Sequence, residues 1–312
     1  MQLIRYLRIL LKNPTILITK EYWTIGLINR TKDPLETFQS LQSEEVIWLQ
    51  AKDTWDFIAD PFLTSYFGEE LLFFERMDSK KGKANISYIK VSDAIQHPTE
   101  FEKYSHVALD LPTHLSYPCL FEYEKKLYMI PENSAAGRID LYQCAGTPDS
   151  WIKVRTIFED FPGIDNTIFY HNNTWWLFST KKIPDTRNED TELFIWFSEN
   201  PLGEWEEHPS SPIFYDNMGA RGAGLPFIED GTLYRPSQDC SEGYGKKMYL
   251  NQVSKLQREI FEESSVFHMG GISPYNHALH TYSVSEGTVA IDGKGKTCGI
   301  NVLIRKLFSA LK

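Results

Sequence analysis

Five copies of a β-hairpin pattern, recurring about every 50 residues, predict an all-β chain folded as a five-bladed β-propeller. Each copy has an apolar strand, a turn and a second strand that ends in a polar residue. The clear copies begin at residues 59, 116, 164 and 224, and a looser one begins at residue 280. Their anchors are 57, 48, 60 and 51 positions apart and are Pro61, Pro118, Asn166, Pro226 and His277.

The repeats also predict how the blades follow one another along the chain. We expect them near residues 59–91, 115–144, 163–199, 222–253 and 276–293, with outer strands within 86–91, 139–142, 193–197 and 248–250. The segment 22–28 reads as a strand that pairs with the fifth blade, because such closure removes an exposed sheet edge. A helix-like patch covers 34–41. Since five blades account for most of the 312 residues, we expect one domain over 1–312.

Both ends of the chain carry the pattern of a short basic amphipathic helix. The apolar positions are Leu3, Leu7, Leu10 and Leu11 at the start and Leu303, Leu307 and Leu311 at the end. The basic positions are Arg5, Arg8 and Lys12 at the start and Arg305, Lys306 and Lys312 at the end. Such helices on an acidic protein predict contact with an anionic membrane surface, and the alternative is that they pack on the propeller.

Composition excludes some partners. The net charge of −10 argues against nucleic acid, which requires a basic surface. The four cysteines lack paired metal-ligand spacing, so we expect reduced thiols, no metal and no cofactor.

The apolar run of the first residues is interrupted by charge and precedes no small-residue cleavage site, which argues against secretion. We therefore expect a cytoplasmic protein, peripheral to the inner membrane if the terminal helices bind lipid.

Several unusual strings occur in one order. They are YMIPE at 128–132, WWLFST at 175–180, ARGAG at 220–224, LYRPSQDCS at 233–241, and HTY followed by AIDG within 280–293. In these strings the chain resembles the propeller domain at the N-terminus of the plant glucosamine inositolphosphorylceramide transferase family and its bacterial relatives, over about residues 23–293. That domain is similar to the five-bladed propellers of family 43 glycoside hydrolases. In the plant enzyme the transferase chemistry is assigned to a separate C-terminal domain.

The resemblance implies roles for two aspartates. In the hydrolase family an Asp opening blade one is the general base, and an Asp opening blade three tunes the general acid. Asp60 and Asp165 match these positions. The acid itself, a Glu in blade four, has no counterpart within 221–226, which is a departure from the family pattern. Without the resemblance, Asp60 also fits a turn before Pro61, and Asp165 also fits a strand entry.

Glu132 is our candidate for the missing acid, and Glu75 is the second choice. Each closes the second strand of a blade after apolar residues, and an apolar environment raises the pKa of a carboxyl group. Pro131 also fixes the backbone just before Glu132. The alternative for both glutamates is an ion pair with Arg221, Arg235 or Arg138.

The remaining candidates are predicted to bind substrate. Arg221 and Arg235 could receive an anionic group of a sugar phosphate or a nucleotide-sugar, because a buried guanidinium requires a carboxylate or a phosphate. The alternative is a brace to a carboxylate such as Asp239, which we count among the binding residues. His280 and Tyr117 are expected to line the pocket. Stacking platforms for sugar rings, or alternatively core residues, are Tyr117, Trp55, Trp175, Trp176 and Tyr244.

Together these residues predict a carbohydrate-active protein that acts on glycosidic linkages by transfer or hydrolysis. A cytoplasmic location favours the assembly of surface polysaccharide or glycolipid. The alternative is a non-catalytic propeller that binds a glycan or a nucleotide-sugar and partners a separate glycosyltransferase. The missing glutamate of blade four favours that alternative.

Overall fold

The predicted five-bladed β-propeller is confirmed by the computed structural model, which describes residues 14–215 and 219–310. Within these residues the strands form five antiparallel sheets, and each sheet is one blade. Blade one contains β3 (Ile58–Tyr66), β4 (Glu69–Asp78), β5 (Lys83–Lys90) and β6 (His106–Leu109). Blade two contains β7 (Ser116–Tyr123), β8 (Lys126–Glu132), β9 (Ile139–Cys144) and β10 (Trp151–Phe158).

The other three blades follow the same order from the axis outwards. Blade three contains β11 (Gly163–His171), β12 (Thr174–Lys181), β13 (Glu192–Ser198), and the short strands β14 (Glu206–Glu207) and β15 (Ile213–Phe214), which both pair with β13. Blade four contains β16 (Phe227–Glu229), β17 (Thr232–Asp239), β18 (Lys247–Leu256) and β19 (Phe261–Gly270). Blade five contains β20 (Tyr282–Val284), β21 (Thr288–Cys298), β1 (Thr19–Asn29) and β2 (Ile47–Trp48).

The expected closure through an N-terminal strand is present. β1 pairs with β21 along its whole length, from Thr19 opposite Cys298 to Asn29 opposite Thr288. Eleven residues from the start of the chain thereby complete a blade whose inner strands come from its end. This ladder joins the two ends of the sequence and closes the ring of blades.

The outer strands are displaced from the predicted positions. The segments expected at the outer edge form the third strand of each blade, and β6, β10, β14 and β19 lie outside them. Few residues of these fourth strands are buried, so a pattern of apolar core residues marks them only weakly in the sequence. β19, for example, is exposed at most of its positions.

Helical segments are short and lie outside the sheets. They are α1 (Pro34–Ser40), α2 (Val91–Gln96), α3 (Asn188–Thr191) and α4 (Ile300–Ala310). α1 coincides with the predicted patch at 34–41. The helix predicted before Pro14 lies outside the described residues. None of the helices in the described ranges combines the length and apolarity needed to cross a lipid bilayer.

The basic side chains of α4 contact the protein itself. Arg305 pairs with Asp53 at 2.6 Å, and its guanidinium lies 4.9 Å from the centre of the Trp55 ring. Lys306 donates to the carbonyl oxygen of Thr19. Val302 of the same helix is buried. These contacts favour packing on the propeller over the membrane contact considered for this helix.

Candidate active site

Three inner strands share an irregularity at the same end of the propeller. In β3, β7 and β11 the pairing with the second strand shifts register, and each shift includes one residue at positive φ. These residues are Asp60 at 51°, Tyr117 at 44° and Asp165 at 50°. A β-bulge bends the strand and redirects side chains, and Asp tolerates positive φ better than most residues. The bulges of blades one and three therefore aim two aspartates at a common site.

A cavity of about 520 Å³ opens at this end of the axis. All five blades contribute to its lining. Six of the nine predicted site residues line it: Asp60, Glu75, Glu132, Asp165, Arg221 and His280. Residues that are far apart in sequence thus meet in one cavity.

Asp60 is buried and held by two hydrogen-bond donors. Its Oδ2 accepts the backbone N–H of Tyr117 at 3.1 Å, and its Oδ1 accepts the hydroxyl of Thr281 at 3.2 Å. Burial raises the pKa of Asp60 well above its ordinary value, and the nearby negative charges of Glu75 and Asp292 raise it further. A carboxyl group in such a place exchanges protons at a higher pH than an exposed aspartate.

Glu132 and Asp165 form one hydrogen-bonded unit. Glu132 Oε2 accepts the backbone N–H of Asp165 at 3.1 Å, and Glu132 Oε1 accepts the hydroxyl of Ser134 at 3.2 Å. Burial and the charge of Asp165 raise the pKa of Glu132 from 4.5 to about 7, although the positive charge of Arg221 opposes the change. Glu132 therefore has the proton affinity of a general acid that works near neutral pH.

Asp165 is itself held by two donors from blade four. Arg221 Nε donates to Asp165 Oδ2 at 2.7 Å, and Gln238 Nε2 donates to the same oxygen at 3.0 Å. Gln238 was not among the predicted site residues, because nothing in the blade-four strings distinguishes it from a surface glutamine.

Glu75 pairs with a residue that the sequence did not indicate. His114 Nε2 lies 3.1 Å from Glu75 Oε1, while His114 Nδ1 accepts the backbone N–H of Ala84. The hydrogen bond to Glu75 raises the pKa of His114. His114 lies in a connector before blade two, where a single histidine carries no recognisable signal.

One wall of the cavity is aromatic. The Trp23 ring stacks on His280 with centroids 3.9 Å apart, and Tyr244 meets both rings edge-on. Lys294 lies 4.6 Å from the centre of the Trp23 ring. Tyr244 was predicted as a stacking platform, whereas Trp23 was predicted only as part of the closing strand.

We expected Arg235, Asp239 and Tyr117 to bind substrate, but these three residues do not line this cavity. Arg235 forms a two-bond ion pair with Glu263, with contacts of 2.5 and 2.8 Å, so the expected brace exists with a different partner from Asp239. Asp239 accepts the backbone N–H of Ser241 within a turn. Tyr117 is fully buried beneath the pocket and donates its hydroxyl hydrogen towards Thr167 or Gly224.

The other proposed aromatic platforms also have different roles. Trp175 belongs to a hydrophobic cluster that spans blades one to three, and Trp176 belongs to one that spans blades three and four, as in the alternative considered for them. Trp55 lies under Arg305 of α4 and beside Lys20, and it does not line the cavity.

Packing explains why the segment between Arg221 and Pro226 in blade four carries no acidic residue. A Cβ on Gly222 would lie 2.7 Å from the hydroxyl of Tyr117, and a Cβ on Gly224 would lie 2.1 Å from the carbonyl oxygen of Tyr282. Gly224 also adopts φ of 120°, which side chains disfavour. The segment between Arg221 and Pro226 therefore has no room for a glutamate at these positions.

Within the described residues, Asp60, His280 and Asp292 offer ligand atoms within 4.8 Å of one another. The two carboxylate oxygens of Asp292 are already occupied, because they accept the backbone N–H groups of Asp60, His280 and Thr281 and contact His280 Nδ1. A metal ion would displace these bonds. The group fits a hydrogen-bonded network, and we assign no metal to it.

This architecture defines the chain as a five-bladed propeller with an acidic central pocket, and solved structures of the same fold are glycoside hydrolases. An α-L-arabinofuranosidase from Lactobacillus brevis aligns with a TM-score of 0.51 at 11% identity, over 73% of this chain and 78% of that one. A family 117 glycoside hydrolase from Zobellia galactanivorans aligns with a TM-score of 0.50 at 11% identity, over 91% and 92%. At these identities the likeness concerns the fold alone.

Sequence comparison gives the family. Residues 47–274 match the family described as glucosamine inositolphosphorylceramide transferase 1, N-terminal, and the chain belongs to this family. Glucosamine inositolphosphorylceramide transferase 1 from Oryza sativa subsp. japonica is 36% identical over 213 residues, and the protein of that name from Arabidopsis thaliana is 34% identical over 213 residues. The match covers 68% of this chain but only 28% and 27% of those relatives.

Proposed function

We propose that the central pocket acts on a glycosidic linkage, with Glu132 as general acid, Asp60 as general base and Asp165 as the residue that tunes Glu132. One observation carries the proposal: two carboxyl groups from different blades face one cavity and are held by different sets of donors. Glycosyl transfer needs such a pair, because one group protonates the leaving oxygen while the other activates the attacking hydroxyl.

Glu132 lies in blade two, whereas the acid of the hydrolase family lies in blade four, but the surroundings of Glu132 suit a general acid. Burial and the charge of Asp165 raise the pKa of Glu132, and the positive charge of Arg221 limits how negative this part of the site becomes. Blade two would then supply the acid that blade four cannot hold. The attacking hydroxyl would be that of water in hydrolysis or of an acceptor in transfer.

The charge balance supports a neutral or amine-bearing sugar over a phosphate-bearing one. Arg221 is paired with Asp165, and Arg235 is paired with Glu263, so both guanidinium groups already have a carboxylate partner. The cavity is also lined by Lys182 and by Glu189, and the Oε2 of Glu189 is buried without a hydrogen-bond partner among the described residues. An ammonium group of the ligand would give this carboxylate oxygen a partner. The names of the plant relatives include glucosamine, which agrees with an amino sugar.

A second candidate function is non-catalytic glycan binding beside a separate glycosyltransferase. The lack of space for a glutamate at Gly222 and Gly224 of blade four favours it. The large part of each relative that lies outside the match also allows catalysis elsewhere in those proteins.

We further propose a cytoplasmic setting in the assembly of surface polysaccharide or glycolipid. The four cysteines are unpaired, with Cys119, Cys144 and Cys240 buried and Cys298 exposed, as suits a reducing compartment. Co-sedimentation with vesicles of anionic and of neutral lipid tests membrane contact. Equal recovery with both compositions would contradict attachment through basic helices.

The test of the activity uses Asp60→Asn, Glu132→Gln and the control Asp239→Asn, which alters a buried aspartate away from the cavity. Turnover is measured on chromogenic glycosides and on nucleotide-sugars with sugar acceptors. Binding of glucosamine, N-acetylglucosamine and glucose 1-phosphate is measured by calorimetry. Loss of turnover in the two pocket variants by about 10²-fold or more, with the control unaffected, supports catalysis.

Two results would contradict parts of this proposal. Binding without turnover in the wild type, abolished by Glu132→Gln, would favour the binding module. Tighter binding of glucose 1-phosphate than of glucosamine would contradict the inferred preference for an amine.

A further inference from the structure

Asp292 is a buried acidic residue that has no role in the activity proposed above. It lies in β21 of blade five, and its side chain has no solvent exposure. Its Oδ1 accepts the backbone N–H groups of His280 at 3.0 Å and Thr281 at 3.1 Å. Its Oδ2 accepts the backbone N–H of Asp60 at 3.3 Å and lies 2.5 Å from His280 Nδ1.

These contacts determine which nitrogen of His280 carries a proton. Three backbone N–H groups donate to Asp292, so its carboxylate acts as an acceptor. The short contact with His280 Nδ1 therefore requires an N–H at Nδ1. Nε2 is then the ring nitrogen with a free lone pair in the neutral side chain, and it lies 3.7 Å from Asp60 Oδ1.

The surroundings keep the imidazole in this orientation. Trp23 stacks on one face, with ring planes 10° apart, and Tyr244 packs against the ring edge-on. The backbone of His280 is fixed by the same carboxylate that holds its ring. Rotation of the ring would break the contact with Asp292 and the stacking on Trp23 together.

We propose that Asp292 is a positioning residue that fixes His280 with Nε2 towards Asp60, so that His280 exchanges protons with the base of the pocket. The proton exchange with Asp60 rests on the proposed function. The position of the ring proton on Nδ1 of His280 does not. Asp292 also holds the backbone N–H of Asp60 and thereby sets the bulge that aims this carboxylate.

Each proton in the proposed reaction has a donor and an acceptor. Asp60 takes a proton from the attacking hydroxyl as its oxygen bonds to the anomeric carbon. The bond from that carbon to the leaving oxygen breaks, and the leaving oxygen takes the proton of Glu132. Asp60 passes its proton to His280 Nε2, and Asp292 stabilises the resulting imidazolium. His280 then releases a proton to solvent, and Glu132 recovers one from it.

The test reads the tautomer directly by long-range nitrogen–proton correlation spectra of ¹⁵N-labelled protein at alkaline pH. The ring signals of His280 are assigned by their loss in His280→Gln. We expect wild-type His280 to carry its proton at Nδ1. In Asp292→Asn, the new amide donates to Nδ1 and the ring proton moves to Nε2. Asp239→Asn is the matched control and should leave the His280 signals unchanged.

The outcomes separate this inference from the proposed function. A wild-type proton at Nε2 overturns the inference, and this outcome does not depend on whether Asp292→Asn folds. An unchanged tautomer in folded Asp292→Asn overturns it as well. If turnover is found, kcat in Asp292→Asn should fall by about 10²-fold or more, because an acid–base group is lost. If no turnover is found but the tautomer is as expected, the positioning role stands and the proposed catalysis fails.

Discussion

Arg221 and Asp165 form an ion pair between blades three and four, with Nε and Oδ2 2.7 Å apart and side chains that are 10% and 4% exposed. The pair joins the backbone of blade three to the glycine segment of blade four. Through the N–H of Asp165 it also reaches Glu132 in blade two. Three blades thus depend on one buried pair of charges.

Arg221→Met is expected to destabilise the fold strongly. It leaves the carboxylate of Asp165 buried without its charged partner, and breaking a buried pair from one side typically costs about 3–5 kcal/mol. Urea unfolding measures this change in the free energy of unfolding.

Arg258→Met is the matched control for Arg221→Met. Arg258 pairs with Glu199, and the two side chains are 42% and 83% exposed, so the loss is expected to be about 1 kcal/mol or less. Similar losses in the two variants would contradict the importance of burial for the Arg221–Asp165 pair.

Glu132 is expected to make the stability of the protein depend on pH. Its pKa is 4.5 ordinarily and about 7 in the folded state, so the folded state binds a proton more tightly than the unfolded state. The contribution of Glu132 to the free energy of unfolding is therefore complete below about pH 4.5 and is lost as the pH rises through about 7. This contribution is at most about 3 kcal/mol, because Glu132 is partly open to the cavity.

The measurement compares wild type and Glu132→Gln in urea across this pH range. The variant lacks the titrating group, so its stability relative to wild type should increase from pH 4.5 to pH 7 and then level off. A constant difference between the two proteins would show that the pKa of Glu132 is not raised by folding.

Arg235 is expected to matter for folding and not for ligand binding. Its guanidinium is buried against Glu263, away from the central cavity. Arg235→Met should reduce the free energy of unfolding by about 3–5 kcal/mol. At a temperature where the variant remains folded, the Kd for a sugar that binds wild type should be unchanged in calorimetry. A weakened Kd in the folded variant would place Arg235 in the binding site after all.

Whether the place of a residue could be predicted from the sequence depended on whether the residue lies within the hairpin repeat. Asp60 and Asp165 open inner strands at corresponding positions of the repeat, and Glu132 closes a second strand, so the period places all three at the same end of their blades. Arg235 also lies in a second strand, but its side chain points to the other face, towards Glu263. The repeat gives the position of a residue along a blade, whereas register and bulges decide the face to which it points.

Residues supplied by connectors and by the closing strand were harder to find. His114 belongs to a loop whose path depends on the backbone of Ala84. Trp23 reaches the pocket only because β1 pairs with β21 in a register that places it opposite Lys294. Such long-range pairing leaves no local pattern in the sequence.

Trp23 offers a final test of the aromatic wall. Trp23→Leu keeps an apolar side chain in β1 but removes the ring that stacks on His280. Aromatic contacts of this kind contribute about 0.5–1.5 kcal/mol beyond burial, so affinity for a pocket-bound sugar should fall about 2- to 10-fold. Trp176→Leu is the control, since this ring packs within a blade core. It should lower thermal stability and leave the Kd of the folded protein unchanged. If Trp23→Leu binds sugar as tightly as wild type, the aromatic wall does not contact the ligand.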